Sequence, residues 1–348
     1  MKPEAFFTRT RNQTVEAMLE QALNGIAADI ADVPVIADGI RAVVLGGGYG
    51  RGEGGATPDG KPYNDLDFFV IGKPPGSAEF FRELSRKWGE VLGIDVDFHP
   101  AASLGELYAN AGTLMMQELF AGYRVVYGDP GILADAPVLP FAKLPWREGA
   151  RLLLNRGTGL LLARRRLESG GDPEFVRRNL HKAALGCGDA LLIARHAYRR
   201  CGVDRLAAIL DTCPGTALAA AYEKALDYKY TPTPENTVTA EHLSVEWDLL
   251  RSVYFESFML FAGAVCGRGF AAPPEAARGL AAAGTESPGN TVKNALLSLR
   301  FLYRAPSILL PLGEHPRVKL PVLLVKCLAG AGNASAEAAY LKLWARFN

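Results

Sequence analysis

GGGYGRGEGGATPDGKPYNDLDFFV, residues 46–70, sets a glycine-rich loop before a strand that opens with two aspartates. Val43, Val44 and Leu45 precede the glycines as a short apolar run, the pattern of a buried strand. The glycines imply a tight turn in which backbone N–H groups can approach a ligand closely. Asp65-Leu66-Asp67 then begins a second strand, DLDFFVIG. Side chains alternate across a strand, so Asp65 and Asp67 share one face and Leu66 points into the core. Two carboxylates about 7 Å apart on one strand face, beside a loop rich in N–H groups, suit Mg²⁺ and a triphosphate.

Outward from this stretch, apolar residues at three- and four-residue spacing predict a helix over 13–30, and a strand over 41–45 follows. A second amphipathic helix is expected over 77–91, with Ser77 as its N-cap. A third strand, Ile94 to Phe98, alternates apolar and acidic residues. Residues 104–122 read as helical and 123–127 as a short strand closed by Gly128-Asp129-Pro130. The alternation predicts an α+β domain over 1–130 with a small mixed sheet. Residues 131–146 hold several prolines and read as a linker. From residue 147 to 348 the patterns are almost all helical: 147–168, 174–200, 203–211, 215–228, 240–267, 289–304 and 335–346. Thr231–Pro234 and Pro273–Pro288 read as loop-rich breaks.

The third strand adds acids. Asp95 and Asp97 share a face as Asp65 and Asp67 do, so neighbouring strands would converge three or four carboxylates. Two-metal phosphoryl or nucleotidyl transfer needs such a cluster to hold divalent ions against the phosphates. The run from Gly47 to Glu53 followed by NDLDFFV resembles the nucleotidyltransferase superfamily that includes DNA polymerase beta. In that resemblance Gly47-Gly48 is similar to the family's Gly-Ser pair, Asp65 and Asp67 to its metal-binding pair, and Asp97 to its third carboxylate. Asp97 is preferred to Asp95 because Asp97-Phe98-His99-Pro100-Ala101 resembles a run seen in some members. Tyr127-Gly128-Asp129 resembles the segment that closes the catalytic domain of antibiotic-modifying members. The likeness covers residues 40–130 and departs from the pattern twice. Gly48 stands where a serine is usual, and 16 residues separate Gly48 from Asp65. The insert ATPDGKPYN is expected to form an extra turn or flap.

In the helical part, Arg178, Lys182 and Asp189 fall on one helix face at 100° per residue. A basic stripe facing the carboxylates would neutralise phosphates. The resemblance extends here to aminoglycoside-adenylylating enzymes, whose helical C-terminal domain contributes basic residues to the triphosphate. It makes Arg178 and Lys182 the expected clamp, with Arg51 in the glycine loop as a further candidate. The resemblance implies transfer of a nucleoside monophosphate, AMP from ATP, onto a hydroxyl acceptor, with two Mg²⁺ ions. The alternative is a non-catalytic nucleotide-binding or toxin–antitoxin-type regulatory module of the same fold.

Other readings fail on context. Gly50-x-Gly52-x-x-Gly55 matches a dinucleotide fingerprint in form, but the residues after it are no helix. No HRD or DFG accompanies the loop as a kinase would need. A net charge of +1 argues against a generally basic nucleic-acid binder and favours a small-molecule or protein acceptor over RNA. Five widely spaced cysteines, with neither CxxC nor zinc spacing, read as buried thiols in a reducing compartment. Residues 1–21 lack the apolar core of a secretory signal, and no uncharged apolar run of membrane-spanning length occurs. The expected location is the cytoplasm. His99, two residues beyond Asp97, is expected as a surface histidine, and His181 as a structural one.

Overall fold

The computed structural model describes residues 6–233, 238–283, 292–293, 295–296, 299, 319–330 and 334–347. It is a mixed α+β protein with a small mixed sheet. The chain forms two compact units. The first takes in Met1–Leu144, Arg199–Asp204 and Leu226–Pro234, and the second takes the remainder.

The first unit begins with α1 (Gln13–Ala31), which starts where the Asn12 side chain accepts the Val15 N–H. It buries Val15, Leu19, Ala22, Ile26 and Ile30, one apolar stripe at helical spacing. A short α2 (Pro34–Ala37) leads to β1 (Ile40–Leu45), and one helical turn, α3 (Gly47–Gly50), follows it. β2 (Gly55–Ala56) and β3 (Pro62–Tyr63) pair antiparallel. The insert ATPDGKPYN is therefore largely a small hairpin, closed by the Thr57 side chain and backbone against Lys61. β4 (Asp65–Gly72), α4 (Ser77–Leu92), β5 (Asp95–Ala101), α5 (Leu104–Ala109), α6 (Leu114–Ala121) and β6 (Arg124–Gly128) complete the core.

The sheet order is β5-β4-β1-β6. β4 and β5 are parallel, joined through α4, and the other two pairings are antiparallel. Strand alternation sorts the side chains. Val43, Leu45, Leu66, Phe68 and Val70 enter one core with α1 and α4. Ala42, Val44, Phe69 and Ile71 enter another with Met116, Leu119 and Phe120 of α6. Asp65 and Asp67 have the parity of Phe69 and Ile71, so the acidic pair continues the second face beyond its apolar part.

Several expectations change. The single helix over 104–122 is two helices. Thr113 accepts the Met116 N–H and starts α6 afresh after Asn110-Ala111-Gly112. Ser77 is the first helical residue of α4 and Gly76, in the left-handed region, is the cap. The stretch 131–146 is no free linker, because Ile132 and Leu133 are buried in the core of the first unit.

The second unit is helical: α7 (Trp146–Glu168), α8 (Pro173–Ala194), α9 (Gly202–Thr212), α10 (Ala217–Tyr230), α11 (Ala240–Cys266), α12 (Pro273–Ala283), and the segments Leu320–Leu328 and Ala334–Phe347. The first residues of α9 and the last of α10 belong to the first unit. Glycine allows close helix approach: a Cβ at Gly157 would lie 2.4 Å from Tyr254 Oη, and one at Gly188 would lie 2.3 Å from the Tyr222 ring. Tyr254 donates to the Leu153 carbonyl and Trp247 to that of Leu160, so α11 is bonded as well as packed against α7. α11 is long and apolar enough to cross a membrane by length and composition. Here its Leu243, Trp247, Tyr254, Phe258 and Phe261 are buried in the helical core.

α8 ends at Ala194 rather than at residue 200, since His196 takes a left-handed conformation. Pro273 and Pro274 start α12 instead of breaking the chain, as proline suits a first turn whose N–H groups have no helical partner. Leu320–Leu328 is a helix that its nearly continuous apolar run did not announce. The helix expected over 289–304 lies, but for five positions, outside the described residues. Cys187, Cys213 and Cys327 are buried thiols, while Cys201 and Cys266 are only partly covered.

Candidate functional site

The parallel register sets Asp65 beside Asp95 and Asp67 beside Asp97. The four carboxylates therefore share one face at the start of two adjacent strands, with Leu66 and Val96 buried beneath them. Asp65 and Asp67 are half-buried, and Asp95 and Asp97 are exposed. Asn64, held at φ 82°, bends the chain into β4, and its amide donates to Asp65 Oδ1.

His99 has the same parity and joins this face. Its Nε2 lies 3.3 Å from Asp67 Oδ1, and its ring sits 5.2 Å from that of Phe69. The hydrogen bond to Asp67 raises the His99 pKa, with Asp97 and Asp65 adding to the effect and burial opposing it. The signal for this contact lay in the sequence, since His99 follows Asp97 by two residues. It needed the parallel register to bring the ring to Asp67.

The glycine loop meets the acids directly. The Gly46 N–H donates to the Asp67 carbonyl at 2.8 Å. Gly47 has φ +59°, and a Cβ there would lie 2.3 Å from Asp67 Oδ2. Glycine is thus required twice at this position, by backbone conformation and by the carboxylate against its Cα. A Cβ at Gly48 would meet nothing closer than the Glu53 carbonyl at 3.5 Å, an ordinary contact.

Buried side chains anchor the loop. The Tyr49 hydroxyl receives the Tyr63 N–H and donates to the Gly55 carbonyl, each at 2.7 Å, tying α3 to the hairpin. Burial pushes the Tyr49 phenol up, so it stays a donor. Arg51 is buried, with its guanidinium 3.7 Å from Glu53 and 3.3 Å from Glu118. Its charge is therefore directed at two carboxylates inside the unit. Glu53, 5% exposed, also accepts the Gly202 N–H at 2.6 Å and the Tyr230 hydroxyl at 3.2 Å. Glu53, Tyr49 and Asn64 were not foreseen as parts of the site. Glu53 takes its partners from Gly202 and Tyr230, remote in sequence, while Tyr49 and Asn64 bond within the 46–70 stretch itself but carry no residue pattern that marks a site.

Asp65, Asp67 and Asp97 offer hard oxygen donors of the kind Mg²⁺ prefers. The absence of a Cβ at Gly47 lets Asp67 Oδ2 sit against the glycine backbone. The donor chemistry fits a divalent cation, although among the described residues no three His, Cys, Asp or Glu side chains group as a ready metal site.

Arg178 and Lys182 lie half-buried on α8, in the helical unit. Asp189 on the same face accepts the Tyr222 hydroxyl and pairs with Arg205, whose guanidinium also donates to Tyr198. Glu174 pairs with the buried Arg177. His181 is buried, and desolvation lowers its pKa to about 4, with Glu246 acting against the shift.

Comparison of the chain with family models, curated proteins and solved structures gives no match.

Proposed function

We propose that the first unit is the catalytic part of a Mg²⁺-dependent nucleotidyltransferase. One observation carries the reading: Gly47 lies against the Asp67 carboxylate, while Asp97 stands in register beside Asp67. A glycine turn rich in N–H groups and a row of acids are thereby one surface.

Asp65, Asp67 and Asp97 would hold the divalent ions, which supply charge neutralisation of the triphosphate and a lowered pKa for the attacking hydroxyl. The N–H groups of Gly47 and Gly48 bind phosphate oxygens, replacing the serine hydroxyl usual at the second position. The acceptor hydroxyl attacks the α-phosphorus, the bond from that phosphorus to the bridging oxygen of pyrophosphate breaks, and Asp97 takes the hydroxyl proton. His99 holds Asp67 in orientation through the Nε2–Oδ1 contact. ATP is the proposed donor and a small molecule or protein the proposed acceptor. Nucleotide binding without transfer is the competing reading.

Incubation with MgCl₂ and each labelled NTP, offering the protein itself, RNA and small hydroxyl compounds as acceptors, separates the two. Label should appear on one acceptor with the wild type and fall by at least about a hundredfold in Asp67→Ala, consistent with loss of a metal-holding carboxylate. Equal labelling by wild type and an Asp65→Ala/Asp67→Ala variant would sink the assignment. Tight ATP binding with no transfer to any acceptor would favour the regulatory module.

A further inference from the structure

The helical unit contains a cavity of about 670 Å³ between α8, α10 and α11. Its volume falls in the range of small-molecule sites, roughly 300–1,000 Å³. Short side chains create it: Ala217, Ala220 and Ala221 line it from α10 and Ala184 from α8. Elsewhere the same three helices bring leucines and aromatics into a close-packed core. At α11 the wall is apolar but not covered, as Val245 is 69% and Leu249 55% exposed among the described residues.

Six polar residues break the apolar lining: His181, Lys224, Thr239, Glu241, His242 and Glu246. The Glu246 carboxylate is buried and pairs with Lys224, whose own side chain reaches solvent. His181 is buried beside them, and its imidazole is neutral at physiological pH. Glu241 adds a second carboxylate to the lining. Two carboxylates face one ammonium, and a neutral imidazole can accept a hydrogen bond. An anionic ligand would meet net repulsion, and a neutral one would leave the Lys224–Glu246 pair as it stands.

We propose that this cavity binds a small organic cation, an aromatic or aliphatic body carrying one amine. The body displaces water from the alanine-lined wall and the two exposed apolar side chains. The ammonium donates to Glu246 and His181, and Lys224 turns outward to solvent. The inference does not depend on nucleotidyl transfer, and Asp67→Ala should leave it intact.

4-Phenylbutylamine, 4-phenylbutanol and 4-phenylbutyrate share one apolar body and differ in the head group. Calorimetric titration of each into the full chain should find the amine bound at least tenfold more tightly than the alcohol or the carboxylate. Glu246→Gln should weaken amine binding at least tenfold. Ala221→Phe, which puts a large side chain in place of a short one in the lining, should abolish it while the thermal midpoint holds. Three probes binding alike, no binding of the amine, or amine binding indifferent to Ala221→Phe would each overturn the proposal.

Discussion

Position 47 concentrates two constraints in one residue. Its φ of +59° disfavours any side chain, and the Asp67 carboxylate occupies the place a Cβ would take. Gly47→Ala should destabilise the protein by about 1–3 kcal/mol, combining left-handed strain with displacement of Asp67. Gly48→Ser should change stability by no more than about 0.5 kcal/mol, because its Cβ has room. Denaturant unfolding of the two variants side by side tests this, and a Gly47→Ala as stable as Gly48→Ser would refute it. The contrast also bears on the glycine at 48. Its missing hydroxyl is not forced by space, so Gly48→Ser is a variant in which the proposed phosphate contact can be tested by measuring transfer again.

At the scale of elements, α8 carries a histidine that titrates at a lower pH in the folded chain than in the unfolded one. His181 is held near a pKa of about 4 by burial, against about 6.5 when exposed. A depressed histidine pKa means that the unfolded chain takes up the proton first. Stability is therefore undiminished above pH 6.5 and is lost as pH falls toward 4, by up to about 3 kcal/mol. Glu246, Glu174, Lys224 and Arg177 act on the same ring and set the net shift. His181→Gln should flatten the acid limb of the stability curve between pH 6.5 and 4. An NMR midpoint for the His181 ring near 6.5 would contradict the burial argument. The elements themselves were legible to different depths. The period-two pattern of β4 and β5 put the four aspartates on one strand face, and the helical spacing of α1 gave its buried stripe, because each follows from local periodicity. The break at Asn110–Thr113, the proline-started α12 and the helix at Leu320–Leu328 were not read. Turn chemistry and burial decide those, and an apolar run such as LPVLLVKCL fits strand and helix alike.

At the scale of the whole molecule, sequence order and spatial order part company. The first unit is not simply the N-terminal third, since it takes residues 199–204 and the end of α10 into its fold. Those returns do specific work at the glycine loop: Glu53 accepts the Gly202 N–H and the Tyr230 hydroxyl, and Tyr63 meets Tyr228 through paired hydroxyls 3.0 Å apart. Partners so remote in sequence leave no local pattern. For this reason Glu53 was a bare charge in the sequence and a buried acceptor in the fold. The same fact predicts how the chain tolerates cutting. A fragment of residues 1–144 removes two donors from a buried carboxylate, and a buried acceptor stripped of partners costs about 1–3 kcal/mol. In that fragment the Gly46–Gly54 amides should exchange with deuterium far faster than in the full chain, and Glu53→Gln should cost the full chain stability but the fragment little. Equal protection of these amides in fragment and full chain would mean that the loop is held by Arg51, Tyr49 and the hairpin alone.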